Sequence, residues 1–224
     1  MKNIALILAS GIGSRCGLEY PKQFAEINGK TILQHTTEKF QNNQNIDEIY
    51  LVTNAEYVEK VKELTSAYSK VVSVVHGGKT RKDSSYNGIT AIRDSEGNVL
   101  IHDGVRPLVT DKIINDCIKE LETNPAVCTT IDSTDTVYIT DEQGYITDIP
   151  QRKYVRRAQT PQCFKLSLIR KAHELANNDK NCKVTDDCGL ITQYHLAKIK
   201  TIDGSTSNIK ITYQDDIEFA KKYL

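Results

Sequence analysis

The chain has 224 residues, 39% of them hydrophobic and 26% charged, which is enough for one well-buried core and short for two ordinary domains. Its 29 basic and 29 acidic residues cancel to a formal net charge of zero, so no global field draws it to nucleic acid or to an anionic membrane. Any affinity for phosphate must therefore be local. Six cysteines without a C-x-x-C pair or zinc-ligand spacing point to packing residues, with Cys16 the candidate for incidental reactivity. No secretory leader, no apolar run near ~18 residues and no N-x-[ST] acceptor are found, which indicates a reduced cytoplasmic setting.

Short apolar runs alternate with segments of helical period through the first half, the pattern of βαβ units and a mostly parallel sheet. Strands are predicted at Ile4–Leu8, Ile49–Thr53, Lys70–Val75 and Val99–His102, with helices at Ile32–Phe40, Ala55–Ala67 and Ser84–Ile92 between them. A helix over Asp111–Glu122 and a strand over Ala126–Ile131 follow. Asp135 to Arg157 then reads as short alternating strands around a turn at Asp141-Glu142-Gln143-Gly144, ending in the basic group Arg152, Lys153, Arg156 and Arg157: a protruding β arm, with its outer bounds at 133–157. Gln159-Thr160-Pro161-Gln162 reads as a polar turn. Helices at Leu166–Ala176 and Asp186–Gln193, a strand at Ala197–Ile202 and a closing amphipathic helix at Tyr213–Tyr223 complete the chain. The class is α/β, a single domain over residues 1–224 with the arm as an appendage.

The most telling segment is LASGIGSRCGLEYPKQF, residues 8 to 24, a glycine-rich turn directly after the first strand that carries Arg15 and, behind Pro21, Lys22. Gly11 and Gly13 let the backbone approach a ligand, and Gly13 or Gly17 suits positive φ. A planar arginine fork and a mobile lysine charge are what a triphosphate needs beside exposed N–H groups. Neither better-known phosphate signature applies. The dinucleotide fingerprint fails because its third glycine falls at Cys16, and the P-loop pattern fails because its first glycine falls at Phe24 or Ser73.

Four further segments carry chemistry. In HGGKTRKDSS, residues 76 to 85, the glycines permit close backbone approach, and Ser84 either meets a base edge or caps the helix with Asp83 as the alternative cap. In IHDGVRP, Asp103 either holds a sugar hydroxyl or a water-bound Mg²⁺, or pairs with Arg106, while His102 reads as a structural strand-end residue and not a general base. Thr185-Asp186-Asp187 reads as a helix start capped by Thr185 or Asp186, and Lys210 as one cation in the apolar strand Ile209–Ile211.

Taken in order, LASGIGSRCGLEYPKQF, GGKTRKDSS, IHDGVRP, RRAQTPQCF, VTDDCG and SNIKIT resemble the cytidylyltransferases that act on sugar-alcohol phosphates, across essentially the whole chain. The resemblance implies a Rossmann-like three-layer αβα nucleotidyltransferase fold. It also implies a reaction in which an acceptor phosphate oxygen attacks the α-phosphorus of CTP and pyrophosphate leaves, with Mg²⁺ as cofactor. By matching positions, Arg15, Lys22 and Lys210 would steady the five-coordinate α-phosphate. Ala9, Ser10, Gly11, Gly13, Gly78, Arg81 and Ser84 would hold the nucleotide, with Asp103 at the ribose or metal. Arg106, Arg152, Thr160, Thr185 and Asp186 would serve the polyol phosphate, with Arg152 reaching in from the arm of a neighbouring subunit in a homodimer.

Two departures, Ser10 where alanine or glycine is usual and Cys16 where methionine is usual, conserve size. The strings HDGVRP and TDIPQR are closer to the ribitol-5-phosphate enzymes, which feed CDP-ribitol into cell-surface polymers, than to the methylerythritol-phosphate enzymes of isoprenoid synthesis, which generally read HDAARP. A nucleotide-binding protein without turnover is the reading from a different class, and the presence of both Lys22 and Lys210 counts against it.

Overall fold

A computed structural model describes residues 1–11, 13 and 16–224. In chain order the strands and helices are β1 (Asn3–Ala9), β2 (Glu26–Ile27), β3 (Lys30–Thr31), α1 (Ile32–Asn42), β4 (Glu48–Thr53), α2 (Val58–Leu64), β5 (Val71–His76), α3 (Arg81–Ala91), β6 (Asn98–Asp103), α4 (Asp111–Glu120), β7 (Ala126–Asp132), β8 (Ile139–Thr140), β9 (Ile146–Asp148), β10 (Arg156–Lys165), α5 (Leu166–Asn178), α6 (Asp187–Gln193), β11 (Lys200–Asp203) and α7 (Gln214–Lys221). Seven strands form one sheet in the order β11-β7-β10-β6-β1-β4-β5, parallel throughout except for β10, which runs antiparallel to both β6 and β7.

Side-chain alternation along these strands divides the apolar residues between two faces, and helices cover both. Ala5, Ile7, Leu51 and Leu100 face Leu33 and Phe40 of α1 and Ile114 of α4. Ile4, Leu6, Val52 and Ile101 face Ile89 of α3, Ile169 of α5 and Leu190 of α6. Phe40 and Phe164 are fully buried, each contributing roughly 2–3 kcal/mol by removal from water. A third cluster joins Cys16 to Ile27 and Ile32, and to Ile211, Ile217 and Ala220 near the C-terminus, so one apolar patch holds two segments that carry expected catalytic cations. Cys16 lies inside it at 3% exposure, which removes the reactivity expected of it.

Strand order reverses beside β1: the chain moves outward through β4 and β5, then returns with β6 on the other flank. Loops diverge at such a point, leaving a crevice at the carboxyl ends of the strands. The helix that opens onto it, α3, begins with a reciprocal cap in which Thr80 accepts from the Asp83 N–H and Asp83 accepts from the Thr80 N–H, both at 3.1 Å. The expected cap at Asp83 or Ser84 thus belongs to Thr80, and the helix starts three residues earlier than predicted.

Three other readings change. Gln159-Thr160-Pro161-Gln162 is not a turn but the middle of β10, with a register shift against β7 between Ala158 and Gln162. Lys210 sits in an irregular segment, not a strand, though Ile211 is still buried and Lys210 still turned outward, because the Ile211 N–H pairs with the Val105 carbonyl at 2.9 Å. The segment from Ala55 opens as a 3-10 turn, Ala55–Tyr57, before α2. Among the described residues no helix is long and apolar enough to cross a membrane.

Candidate active site

The crevice holds a cavity of about 610 Å³. Its walls come from the loop after β1 (Ala9, Ser10, Gly11, Gly13), from Lys22 and Gln23, from Asn54 after β4, from Gly78 to Arg81 before and at the start of α3, from Asp103 and Val105, and from Lys210. Chain segments more than a hundred residues apart thus deliver Lys22, Lys79, Arg81 and Lys210 to one space. Arg15 lies outside the described residues.

Local packing explains these placements. At Gly13 φ is +74°, and a Cβ there would stand 2.9 Å from Lys22 Cγ, so the missing side chain makes room for the lysine stem. Pro21 leads into a one-turn 3-10 helix, Lys22–Phe24, and Gln23 donates to the Ala9 carbonyl at 2.6 Å, tying that turn back to the end of β1. Across the cavity, a Cβ on Gly77 would lie 2.7 Å from the hydroxyls of both Ser10 and Ser84, which bond to each other at 2.9 Å. Ser84 also accepts from the Gly78 N–H at 3.1 Å and donates to the Thr80 carbonyl at 2.9 Å. Its hydroxyl joins the two glycine loops, and Ser84 itself lines the cavity. The N-terminus of α3 points its positive end into the same space.

Asp103 is the hub of the floor. Lys210 Nζ stands 2.9 Å from one of its oxygens, Arg106 Nε 3.5 Å from the same oxygen and Arg81 Nε 3.7 Å from the other. Burial alone would raise the Asp103 pKa, but Lys210, Arg81 and Arg106 together hold it well below the usual carboxylate range. No other carboxylate lines the cavity among the described residues, and no trio of metal-ligating side chains forms among them. With cations on both oxygens, Asp103 does not suit direct ligation of a divalent ion, which leaves the water-mediated role as the one compatible with its surroundings.

Behind Asp103 lies a layer of buried polar groups. Thr160 accepts from the Asp103 N–H at 3.1 Å and donates to His102 Nδ1 at 3.0 Å, and His102 Nε2 donates to the Arg106 carbonyl at 3.1 Å. His102 is completely buried against Phe40, and that burial pushes its pKa down to about 4, so it is a neutral strut and no general base. Arg106 donates to the Asn208 carbonyl at 2.8 Å and is only 9% exposed. Thr160 and Arg106, expected to touch substrate, do not line the cavity: Thr160 supports the floor from beneath through these bonds, and Arg106 pairs with Asp103 through a buried Nε that has no hydrogen-bond partner among the described residues.

The remaining expected substrate residues lie elsewhere. Asp186 caps α6 through the Gly189 N–H at 2.8 Å and accepts from Gln162 Nε2 at 2.6 Å. Thr185 is exposed beside it. Both border a small cleft between α3 and α6, with Arg81 common to that cleft and the main cavity. Arg152 stands on the arm in a 3-10 turn, donating to the Thr134 carbonyl at 3.3 Å, and does not line the cavity. Sequence reasoning missed Gln23, Asn54 and Lys79 on the walls. The position of Asn54 directly after β4, and of Lys79 after paired glycines, were the available signals.

Comparison with known proteins agrees with this geometry. The family described as IspD: 2-C-methyl-D-erythritol 4-phosphate cytidylyltransferase matches residues 3–224. The 2-C-methyl-D-erythritol 4-phosphate cytidylyltransferase of Clostridium botulinum is 40% identical over 100% of this chain and 97% of its own. The bifunctional ribulose 5-phosphate reductase/CDP-ribitol pyrophosphorylase Bcs1 of Haemophilus influenzae is 39% identical over 99% of this chain, which spans about half (48%) of that longer protein. Among solved structures, 4-diphosphocytidyl-2C-methyl-D-erythritol synthase from Anaerococcus prevotii superposes with a TM-score of 0.89 at 36% identity, covering 99% of this chain and 95% of that one. The chain therefore belongs to the IspD family of nucleotidyltransferases, the CTP:polyol-phosphate cytidylyltransferases.

Proposed function

We propose that the protein joins CTP to D-ribitol 5-phosphate, giving CDP-ribitol and pyrophosphate. The observation that carries the transfer itself is a cavity walled by Lys22, Lys79, Arg81 and Lys210 with Asp103 as the single carboxylate among the described residues. On this reading a phosphate oxygen of the acceptor forms a bond to the α-phosphorus of CTP, and the bond to the β-phosphate oxygen breaks. The attacking oxygen is already anionic, so positioning and charge neutralisation replace a general base. Lys22 and Lys210 steady the α-phosphate with Arg15, and Lys210 exchanges its contact with Asp103 for the nucleotide. Mg²⁺ accompanies the triphosphate. The whole chain acts as one nucleotidyltransferase domain, and the 133–157 arm joins two copies so that Arg152 of one serves the acceptor phosphate of the other.

Ribitol 5-phosphate is favoured by HDGVRP and TDIPQR and by the likeness to the Haemophilus protein, whose name includes CDP-ribitol pyrophosphorylase. A second reading, methylerythritol 4-phosphate as acceptor, is favoured by the family description and the clostridial relatives. Pyrophosphate release from CTP and Mg²⁺ across both acceptors decides between them. Higher kcat/KM with ribitol 5-phosphate is expected. Preference for the methylerythritol compound reverses the assignment, and no release with any polyol phosphate removes the enzymatic reading.

A further inference from the structure

Asp187 has no part in the reaction as described so far, yet it is among the most expensively placed residues in the chain. Its side chain is 1% exposed, and Arg81 Nη1 lies 2.6 Å from its Oδ2. The other oxygen, Oδ1, receives the Ser85 hydroxyl at 2.6 Å and faces His173 Nε2 at 3.3 Å. Burial would raise its pKa, but the Arg81 charge and the bonds from His173 and Ser85 hold it at about 2. The backbone is fixed too, since Gln162 Oε1 accepts from the N–H groups of both Asp187 and Cys188, at 3.1 and 3.2 Å. Such a cluster is rarely the cheapest way to fill an interior, because a buried ion pair gives little net stability over an apolar replacement.

What the cluster does fix is the orientation of one guanidinium. Arg81 is its only solvent-facing member: Ser85, His173 and Asp187 are buried, while the Arg81 side chain is 27% exposed and borders both the nucleotide cavity and the α3/α6 cleft. Nε is turned toward Asp103 and Nη1 toward Asp187, so two carboxylates on different elements define the plane of the fork. Nη2 has no hydrogen-bond partner among the described residues. A planar fork held on two sides with one nitrogen open is preorganised to meet a phosphate oxygen.

We propose that Asp187, locked by Ser85, His173 and Gln162, is a positioning residue for cytidylyl transfer, acting by clamping Arg81 where the nucleotide cavity meets the acceptor cleft. The inference rests on the cytidylyltransferase reading and adds to it a layer that touches neither substrate. It gives a task to the buried polar residue Gln162 and to Asp187 itself, whose sequence neighbourhood otherwise reads as a plain helix cap.

The test is a double-mutant cycle read on two quantities, CTP affinity by titration calorimetry and kcat/KM by pyrophosphate release. Arg81→Ala is expected to lower kcat/KM by about a hundredfold and Asp187→Asn by about tenfold. The double variant should fall no further than Arg81→Ala, within about twofold, because Asp187 acts through Arg81. Ser85→Ala removes one bond from Asp187 without leaving a buried charge unpaired. It should cost about two- to fivefold, and again nothing in the Arg81→Ala background, which keeps the test open should Asp187→Asn unfold. Losses that multiply, or wild-type affinity and turnover in Asp187→Asn, overturn the proposal. Wild-type protein that binds CTP but turns over no polyol phosphate defeats the enzymatic reading alone, since the cycle on CTP affinity still decides the role of Asp187. Failure of the wild-type protein to bind CTP defeats both.

Discussion

The cavity floor and the arm treat their cations in opposite ways. On the floor, Arg81, Arg106 and Lys210 share Asp103, and Arg81 has a second carboxylate in Asp187, so their charges are fixed before any ligand arrives. On the arm, Arg152 has one long bond to a carbonyl among the described residues, and the same arm carries exposed Tyr138, Ile139, Tyr145, Ile146, Ile149 and Tyr154. The arm hairpin is nonetheless ordered by its own turn, where Asp141 Oδ1 accepts from the N–H groups of Gln143 and Tyr145 at 3.0 and 2.9 Å. One region is therefore a finished electrostatic device and the other a well-formed surface whose apolar area is uncovered in a single chain. The contrast teaches where each kind of damage should register: in stability and the chemical step on the floor, in acceptor binding and subunit contact on the arm.

The largest effect is expected at the hub. Asp103→Asn leaves Arg106 buried beside a neutral group, which should lower the unfolding free energy by about 3 kcal/mol, measured by urea titration. A change below about 1 kcal/mol would mean the floor is held by its backbone and not by its charges. Lys22→Ala should cut kcat about a hundredfold with little change in Tm, since its gain is realised mainly in the transition state. Near-normal kcat would remove Lys22 from the chemistry and blunt the contrast with the arm.

The floor also sets a pH signature. His102 titrates near 4 in the folded protein against 6.5 ordinarily, so between those values the unfolded chain binds more protons and stability falls as pH drops. The full span is about 3 kcal/mol, complete above pH 6.5 and lost by pH 4. Asp187, held at about 2 against 3.8, adds a further loss only below pH 3.8. Urea titrations at pH 7 and 4.5 should show the decline, and His102→Gln should flatten it. An unchanged slope in that variant would assign the acid sensitivity to other groups.

How far the sequence disclosed this arrangement follows from the same physics. The parallel half was legible because strands buried on both faces read as apolar runs and each ends in a glycine or charged loop, as at Ala9, His76 and Asp103. β10 was not, because Gln159, Thr160 and Gln162, at 5%, 4% and 2% exposure, carry the polar signature of a turn while lying in the middle of the sheet. Their burial is offset by partners far away in the chain, Asn208, His102 and Asp186, which no local pattern reveals. The clamp on Arg81 was hidden for that reason too: its carboxylate lies 106 residues downstream, in a segment whose spacing already had a sufficient explanation as a cap. For α6 the local pattern shows where the helix starts, and only the folded chain shows what its first residue holds.

The arm offers the smallest effect and the sharpest test of the contrast. If Arg152 serves a neighbouring subunit, Arg152→Ala should raise KM for the polyol phosphate by about tenfold, the loss of one charge-assisted contact, with kcat and KM for CTP nearly unchanged. Shared sites make a stronger demand. When Lys22→Ala and Arg152→Ala proteins are mixed after dissociation, about half of the dimers are mixed, and each of those contains one site with both residues intact. Assayed at acceptor concentrations far below the raised KM, the mixture should recover about a quarter of wild-type activity, more than either parent gives. Recovery no better than the parents' average would place Arg152 and Lys22 in the same chain's site. The arm would then be a flap folding over its own floor, and its exposed tyrosines and isoleucines would need a partner other than a second copy.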